Sequence, residues 1–325
     1  MEKIKFLTMA ALATAFFASC SNEDGLPQSN YPADNVVRIT TSVDGMNTRA
    51  SYGGSTAKLS SFGFCINNAG SDKYTYDNIK VTQENGKWNP ATQMLWQNST
   101  TAVDILAYAP YQANGNVKIF GKSDYAFSVK ADQSNAEDYS SDLIVYKQTG
   151  FKPESDLNTN QAVNVAFTHL LSQLNLTIEL RDQFNQDEKK PVTSATVTDV
   201  KVNGTIISSK VDFSASPISV QVDDTQEATA ITPETTEFKA AGKTTDHAAF
   251  NYSAIVIPQT VTAGNFSISF KVDGTDYIWT STSDVNFVSG NKHQLSLLVG
   301  KDVVQVKGIT ATPWGKENIT QGETD

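Results

Sequence analysis

Apolar residues recur at every second position in many short runs of this chain, and turn signals separate those runs at short intervals. A period of two is the mark of β-strands with one buried face. The first run covers residues 36–43. It places Val37, Ile39, Thr41 and Val43 on one face and Val36, Arg38, Thr40 and Ser42 on the other. Further strands are predicted over 59–66, 74–81, 103–109, 125–129 and 143–146. In the second half they fall over 164–180, 195–202, 205–213, 218–222, 252–257, 266–272, 277–281, 293–298 and 303–309.

Asn85-Gly86, Asn203-Gly204 and Asp273-Gly274 each separate two such runs. A two-residue hairpin needs positive φ at both central positions, which Asn, Asp and Gly tolerate best, so each pair predicts a hairpin. No stretch keeps a helical period between two caps. The pattern therefore predicts an all-β protein of tandem β-sandwiches. A polar stretch at 153–161 sets the division, with one domain over 50–160 and the second over 161–325.

The pattern ahead of residue 36 is different. Lys3 and Lys5 precede an apolar run over 6–18 that only Thr8 and Thr14 interrupt, and Ala18-Ser19 lead into Cys20. This is a secretory signal and is too short for a spanning helix. A cysteine directly after small residues marks its lipoprotein form: residues 1–19 are removed, and Cys20 carries acyl chains, palmitate among them. Phe17 stands where leucine is more usual, and an ordinary signal peptide with an incidental cysteine is the competing reading. Glu23 and Asp24 follow. Residues 25–35, with Pro27 and Pro32, read as a flexible tether, so 20–49 together form a lipidated tether and propeptide.

Composition narrows the function. The net charge is −10 and no basic block is present, which argues against nucleic acid, since phosphate contacts need clustered Lys and Arg. With Cys20 lipidated, Cys65 has no partner for an intrachain disulfide and reads as a small buried residue. His169, His247 and His293 lie far apart, and no HExxH, GxSxG, P-loop or GxGxxG motif occurs. The expectation is a non-enzyme without metal or cofactor, in which His169 is a structural, hydrogen-bonded histidine. Tyr31, Tyr52, Tyr111 and Tyr139 can stack on sugars or simply cover surface, and surface cover is favoured. Residues 46–56 are small, polar and glycine-rich, a segment that a protease can enter. Arg49 is the only strong base between Arg38 and Lys58. Taken alone, it reads as a solvated loop arginine.

Four stretches in order carry a resemblance. They are the box ending at Cys20 with acids after it, and the strand followed by Thr48-Arg49-Ala50. Then come Phe167-Thr168-His169-Leu170-Leu171-Ser172-Gln173-Leu174, and Ile255-Val256-Ile257-Pro258-Gln259-Thr260 with the later run over 287–298 and Pro313-Trp314 near the end. The chain resembles the fimbrillin-like lipoproteins of Bacteroidales, the subunits of type V pili. The resemblance implies two tandem transthyretin-like β-sandwich domains and a lipid-anchored precursor at the outer membrane. It implies cleavage between Arg49 and Ala50 by an arginine-specific protease, which expels residues 36–43. Another fimbrial subunit, self or related, would then add a strand to the open groove, and the fimbrium would serve adhesion to a host or bacterial receptor. The C-terminal run is the candidate donor, with Val304, Val306, Gly308 and Thr310 expected on one face. The alternative is a surface glycan-binding lipoprotein of a nutrient-uptake system.

Overall fold

A computed structural model describes residues 30–43, 58–113, 118–184, 191–242 and 247–314. The chain is all-β, with its strands arranged as tandem sandwiches. The first strands are β1 (Ile39–Val43), β2 (Ser61–Asn67), β3 (Tyr76–Glu84) and β4 (Lys87–Pro90). They are followed by β5 (Val103–Ala109), β6 (Tyr125–Ser128), β7 (Ile144–Phe151) and β8 (Val163–His169). All but β6 join one seven-stranded sheet in the order β1-β8-β7-β5-β2-β3-β4. Within that sheet, only the β1–β8 pairing is parallel.

This sheet curls until its edges meet. Val37 N–H donates to the Met94 carbonyl at 3.0 Å and Trp96 N–H to the Asn35 carbonyl at 2.8 Å, just beyond β4. Strands β2 and β5 are covered on both faces. Phe62, Phe64, Ile105 and Ala107 face a core shared with Val163, Val165 and Phe167. Cys65, Leu106 and Tyr108 face a second core. Double cover explains why residues 62–66 are apolar throughout rather than alternating.

The second half contributes β9 (Ser172–Leu180), β10 (Val197–Asn203), β11 (Ser208–Asp212), β12 (Ser219–Val222), β13 (Glu234–Lys239) and β14 (Ala248–Val256). After them come β15 (Gln259–Val261), β16 (Ser267–Val272), β17 (Thr275–Thr280), β18 (Val285–Phe287), β19 (Asn291–Gly300) and β20 (Val303–Pro313). A five-stranded sheet, β13-β14-β9-β19-β20, shares its core with the sheet β10-β16-β17. Sheet membership crosses residue 160 in both directions. Strand β8 returns to the first sheet, and β6 pairs with β11. Tyr125 of β6 and Phe213 then pack against Tyr108 of β5, with ring centroids 5.8 and 5.6 Å away.

The turns sort themselves by what glycine is needed for. Asn85-Gly86 and Asp273-Gly274 have positive φ at both residues and close the β3–β4 and β16–β17 hairpins. The hairpin expected at Asn203-Gly204 does not form: β10 pairs with β16, and β11 with β12 and β6. Here Gly204 serves close approach, because a Cβ would lie 2.0 Å from the Asn265 carbonyl oxygen. The Asn203 amide is meanwhile bonded to Ser269 Oγ at 3.1 Å. The single strand expected over 164–180 is two, broken at Leu170-Leu171, and its halves lie in different sheets. Strand β13 was not expected. Its sequence, ETTEFK, is polar because it forms an edge.

Candidate functional site

Two edge strands stand out, one at each end of the described chain. Strand β1 pairs in parallel with β8, Ile39 opposite Val163 through Val43 opposite Phe167. Val37, Ile39 and Val43 are 3, 7 and 7 % exposed, and Thr41 between them is half-buried. The alternation read from the sequence is thus realised. These side chains enter a slot walled by β8, Met94 and Trp96, and the Trp96 indole stacks on Phe151 with centroids 5.6 Å apart. Burying each such aliphatic side chain contributes roughly 1.5–3 kcal/mol. Met94 and Trp96 were missed as slot walls, since they lie in an irregular stretch whose only signal was a lone tryptophan.

Polar contacts around β1 are fewer and weaker. Arg38 makes a two-pronged bond to Asp34, at 3.1 and 2.6 Å, and thereby holds that carboxyl below the usual carboxylate range. Both groups face solvent, so the pair orders the entry to β1 more than it anchors it. The Asn158 side-chain amide donates to Thr40 Oγ1 at 2.9 Å. Thr41 Oγ1 and Trp96 Nε1 are buried with no hydrogen-bond partner among the described residues. The fit of β1 in its slot is therefore good in shape and incomplete in polarity.

Strand β20 forms the opposite edge of the second sandwich. It pairs antiparallel with β19 along its whole length, with a bulge between Ser296 and Leu297 that leaves Lys307 unopposed. Directly opposed residues share a face. Val304, Val306, Ile309 and Ala311 oppose Val299, Leu297, Leu295 and His293, all of which are buried. The donor face expected from strict alternation, Val304 to Thr310 through Gly308, is therefore corrected. The bulge moves Gly308 out and brings Ile309 in. Val306 and Ile309 remain 46 and 41 % exposed on this edge strand.

The remaining candidates are placed as follows. Cys20, Arg49 and Ala50 lie outside the described residues, as does Tyr52. His169 is buried with its Nδ1 2.9 Å from Asp142 Oδ1, the structural role expected of it. His293 Nε2 accepts from Val288 N–H at 3.1 Å, and burial pushes its pKa down. Cys65 is buried, with its thiol pKa pushed up by desolvation. Tyr31 and Tyr139 pack on the first core, and Tyr111 lies under the Lys80 ammonium. Among the described residues no three His, Cys, Asp or Glu side chains come together as a metal site.

The family model described as fimbrillin-like matches residues 48–314. The chain belongs to the fimbrillin-like family. No curated protein matches it. Among solved structures, this fimbrillin-like chain is similar to proposed cell adhesion proteins from Bacteroides uniformis and Bacteroides ovatus. The first is 19 % identical with a TM-score of 0.55, over 87 % of this chain and 99 % of that one. The second is 13 % identical with a TM-score of 0.59, over the same shares. A fimbrial protein from Bacteroides vulgatus is 17 % identical with a TM-score of 0.52, over 86 % of this chain and 99 % of that one. At such identities the likeness is one of fold.

Proposed function

We propose that this fimbrillin-like protein is a cell-surface fimbrial subunit, exported as a lipoprotein on Cys20, cut between Arg49 and Ala50, and polymerised by strand exchange. The observation that carries this is β1 itself. It is an edge strand whose apolar face fills a slot in the core, and residues 44–57, which include Arg49, are its covalent link to the body. The family match begins at residue 48 and leaves β1 outside it, which supports the same division.

Removing β1 would uncover the backbone edge of β8 and the apolar side chains of Val163, Val165 and Phe167. An exposed edge with an apolar groove favours adding a strand from another chain. The donor in this reading is β20 of a neighbouring subunit, self or related, since its inward apolar residues lack cover in the resting subunit. The role is structural and adhesive. The outer membrane holds the precursor through Cys20, an arginine-specific protease releases it, and a host or bacterial surface receptor is the target of the assembled fimbrium.

Arg49→Ala tests the reading. The variant should remain a lipidated, membrane-held precursor and form no SDS-resistant ladder on unboiled gels. Ladders of wild-type abundance from that variant would overturn it.

A further inference from the structure

Strand β20 is followed directly by Trp314, which is only 6 % exposed. Its ring lies flat on His169, with centroids 3.8 Å apart and planes 3° apart. His169 is held through its Nδ1 by Asp142. Trp314 N–H donates to the Gly290 carbonyl at 2.7 Å, and Gly290 N–H donates to the Leu171 carbonyl at 2.9 Å. The Lys292 ammonium stands 5.9 Å from the indole centroid. From Gln305 to Ala311 the residues of β20 are exposed, and Thr312 is half-buried. Trp314 is thus the main buried anchor of the C-terminal strand.

The seat belongs to the other sandwich. His169 is the last residue of β8, and β8 pairs with β7 only through Thr168 and His169. The ladder of Val163–Phe167 is made with β1. One strand therefore touches both edges of the molecule: its first five residues hold β1, and its last carries the tryptophan. Trp314 Nε1 is buried without an acceptor among the described residues, so the stack is a seat that can be left.

We propose that Trp314 is a latch through which β1, by way of β8, keeps the C-terminal strand docked on its own subunit. Loss of β1 leaves the backbone of β8 laddered only at its C-terminal end, through Thr168 and His169 to β7 and Leu170 to Leu143, loosens the stacking surface and lets β20 leave. The order of events follows: the donor strand is set free only in a subunit whose own slot has been opened. The latch takes its purpose from the strand-exchange reading, but it is a property of the resting subunit.

Hydrogen–deuterium exchange on the full-length chain tests it, with β14 as the reference strand. Trp314→Ala should raise exchange across 303–313 by about tenfold, and Trp314→Phe, which keeps a stacked ring, should stay near wild type. Coupling is reciprocal, so Ile39→Ala, far from β20, should also raise exchange across 303–313 while β14 is unchanged. Faster exchange confined to 36–43 and 163–167 in Ile39→Ala would overturn the latch, and that variant decides the matter even if Trp314→Ala does not fold. Polymerisation is read separately. Coupled exchange in a protein that never forms ladders would keep the latch and reject strand exchange, and ladders without coupled exchange would do the reverse.

Discussion

Strands β1 and β20 are both edges, and they differ in what covers them. β1 is held mainly by side chains: Ile39 and Val43, with Val37 just ahead of the strand, are buried in the core, and the slot closes over them between β8 and the Met94–Trp96 segment. β20 is held by a backbone ladder over its whole length to β19 and by the single buried ring of Trp314 at its end, with Val306 and Ile309 left open to solvent. In the strand-exchange reading proposed above, the first is the plug and the second the spare. Losing the plug would damage the first core, whereas losing the spare would expose the edge of β19 and empty the Trp314 seat on His169.

The largest effect that can break this comparison is on assembly. Deleting residues after Gly300 should leave protein that is cut yet forms no filament by electron microscopy; normal filaments would end the assignment of β20 as donor. Stability sharpens the contrast next. Ile39→Ala should lower the unfolding free energy by about 3 kcal/mol, in the range of buried Ile truncations. Val306→Ala, on the open strand, should stay within about 0.5 kcal/mol. Urea midpoints of the two variants, compared directly, would refute the plug-and-spare picture if they shifted equally.

A smaller effect concerns the sheet that carries β20. Burial holds the folded imidazole of His293 below its ordinary value near 6.5, so the unfolded chain takes up that proton first. Stability should therefore decline as the pH falls from about 7 towards 5.5, and His293→Gln should flatten that decline. An unchanged slope in urea titrations at the two pH values would remove His293 as its source. Smallest is the polarity of the slot. Thr41→Val deletes a buried, unpartnered hydroxyl at nearly constant shape and should stabilise the precursor by about 1 kcal/mol. A destabilised variant in thermal unfolding would show that the hydroxyl is satisfied.

The sequence was most informative where one local rule decided the outcome. The alternation of Val37, Ile39, Thr41 and Val43 gave the buried face of β1, because a strand on one core has no other choice of face. Asn85-Gly86 and Asp273-Gly274 gave hairpins, because the flanking runs could pair with each other. Asn203-Gly204 has the same signature and fails, since the partner of β10 lies far along the chain at β16. The bulge at Lys307 was equally hidden: nothing in the run VVQVKGITATP marks where one residue will be left unopposed. The four stretches that carried the family likeness included both His169 and Trp314. That the two rings stack was not legible, because it depends on β8 ending where the two sandwiches meet. Strand β13 left no apolar pattern at all, as a solvated edge strand need not.

N-terminal sequencing of the mature protein recovered from the cell surface tests the central claim most directly. Cleavage that expels β1 predicts a chain beginning at Ala50. A mature chain that still begins at lipidated Cys20 would mean that β1 stays in its slot, and would contradict the account.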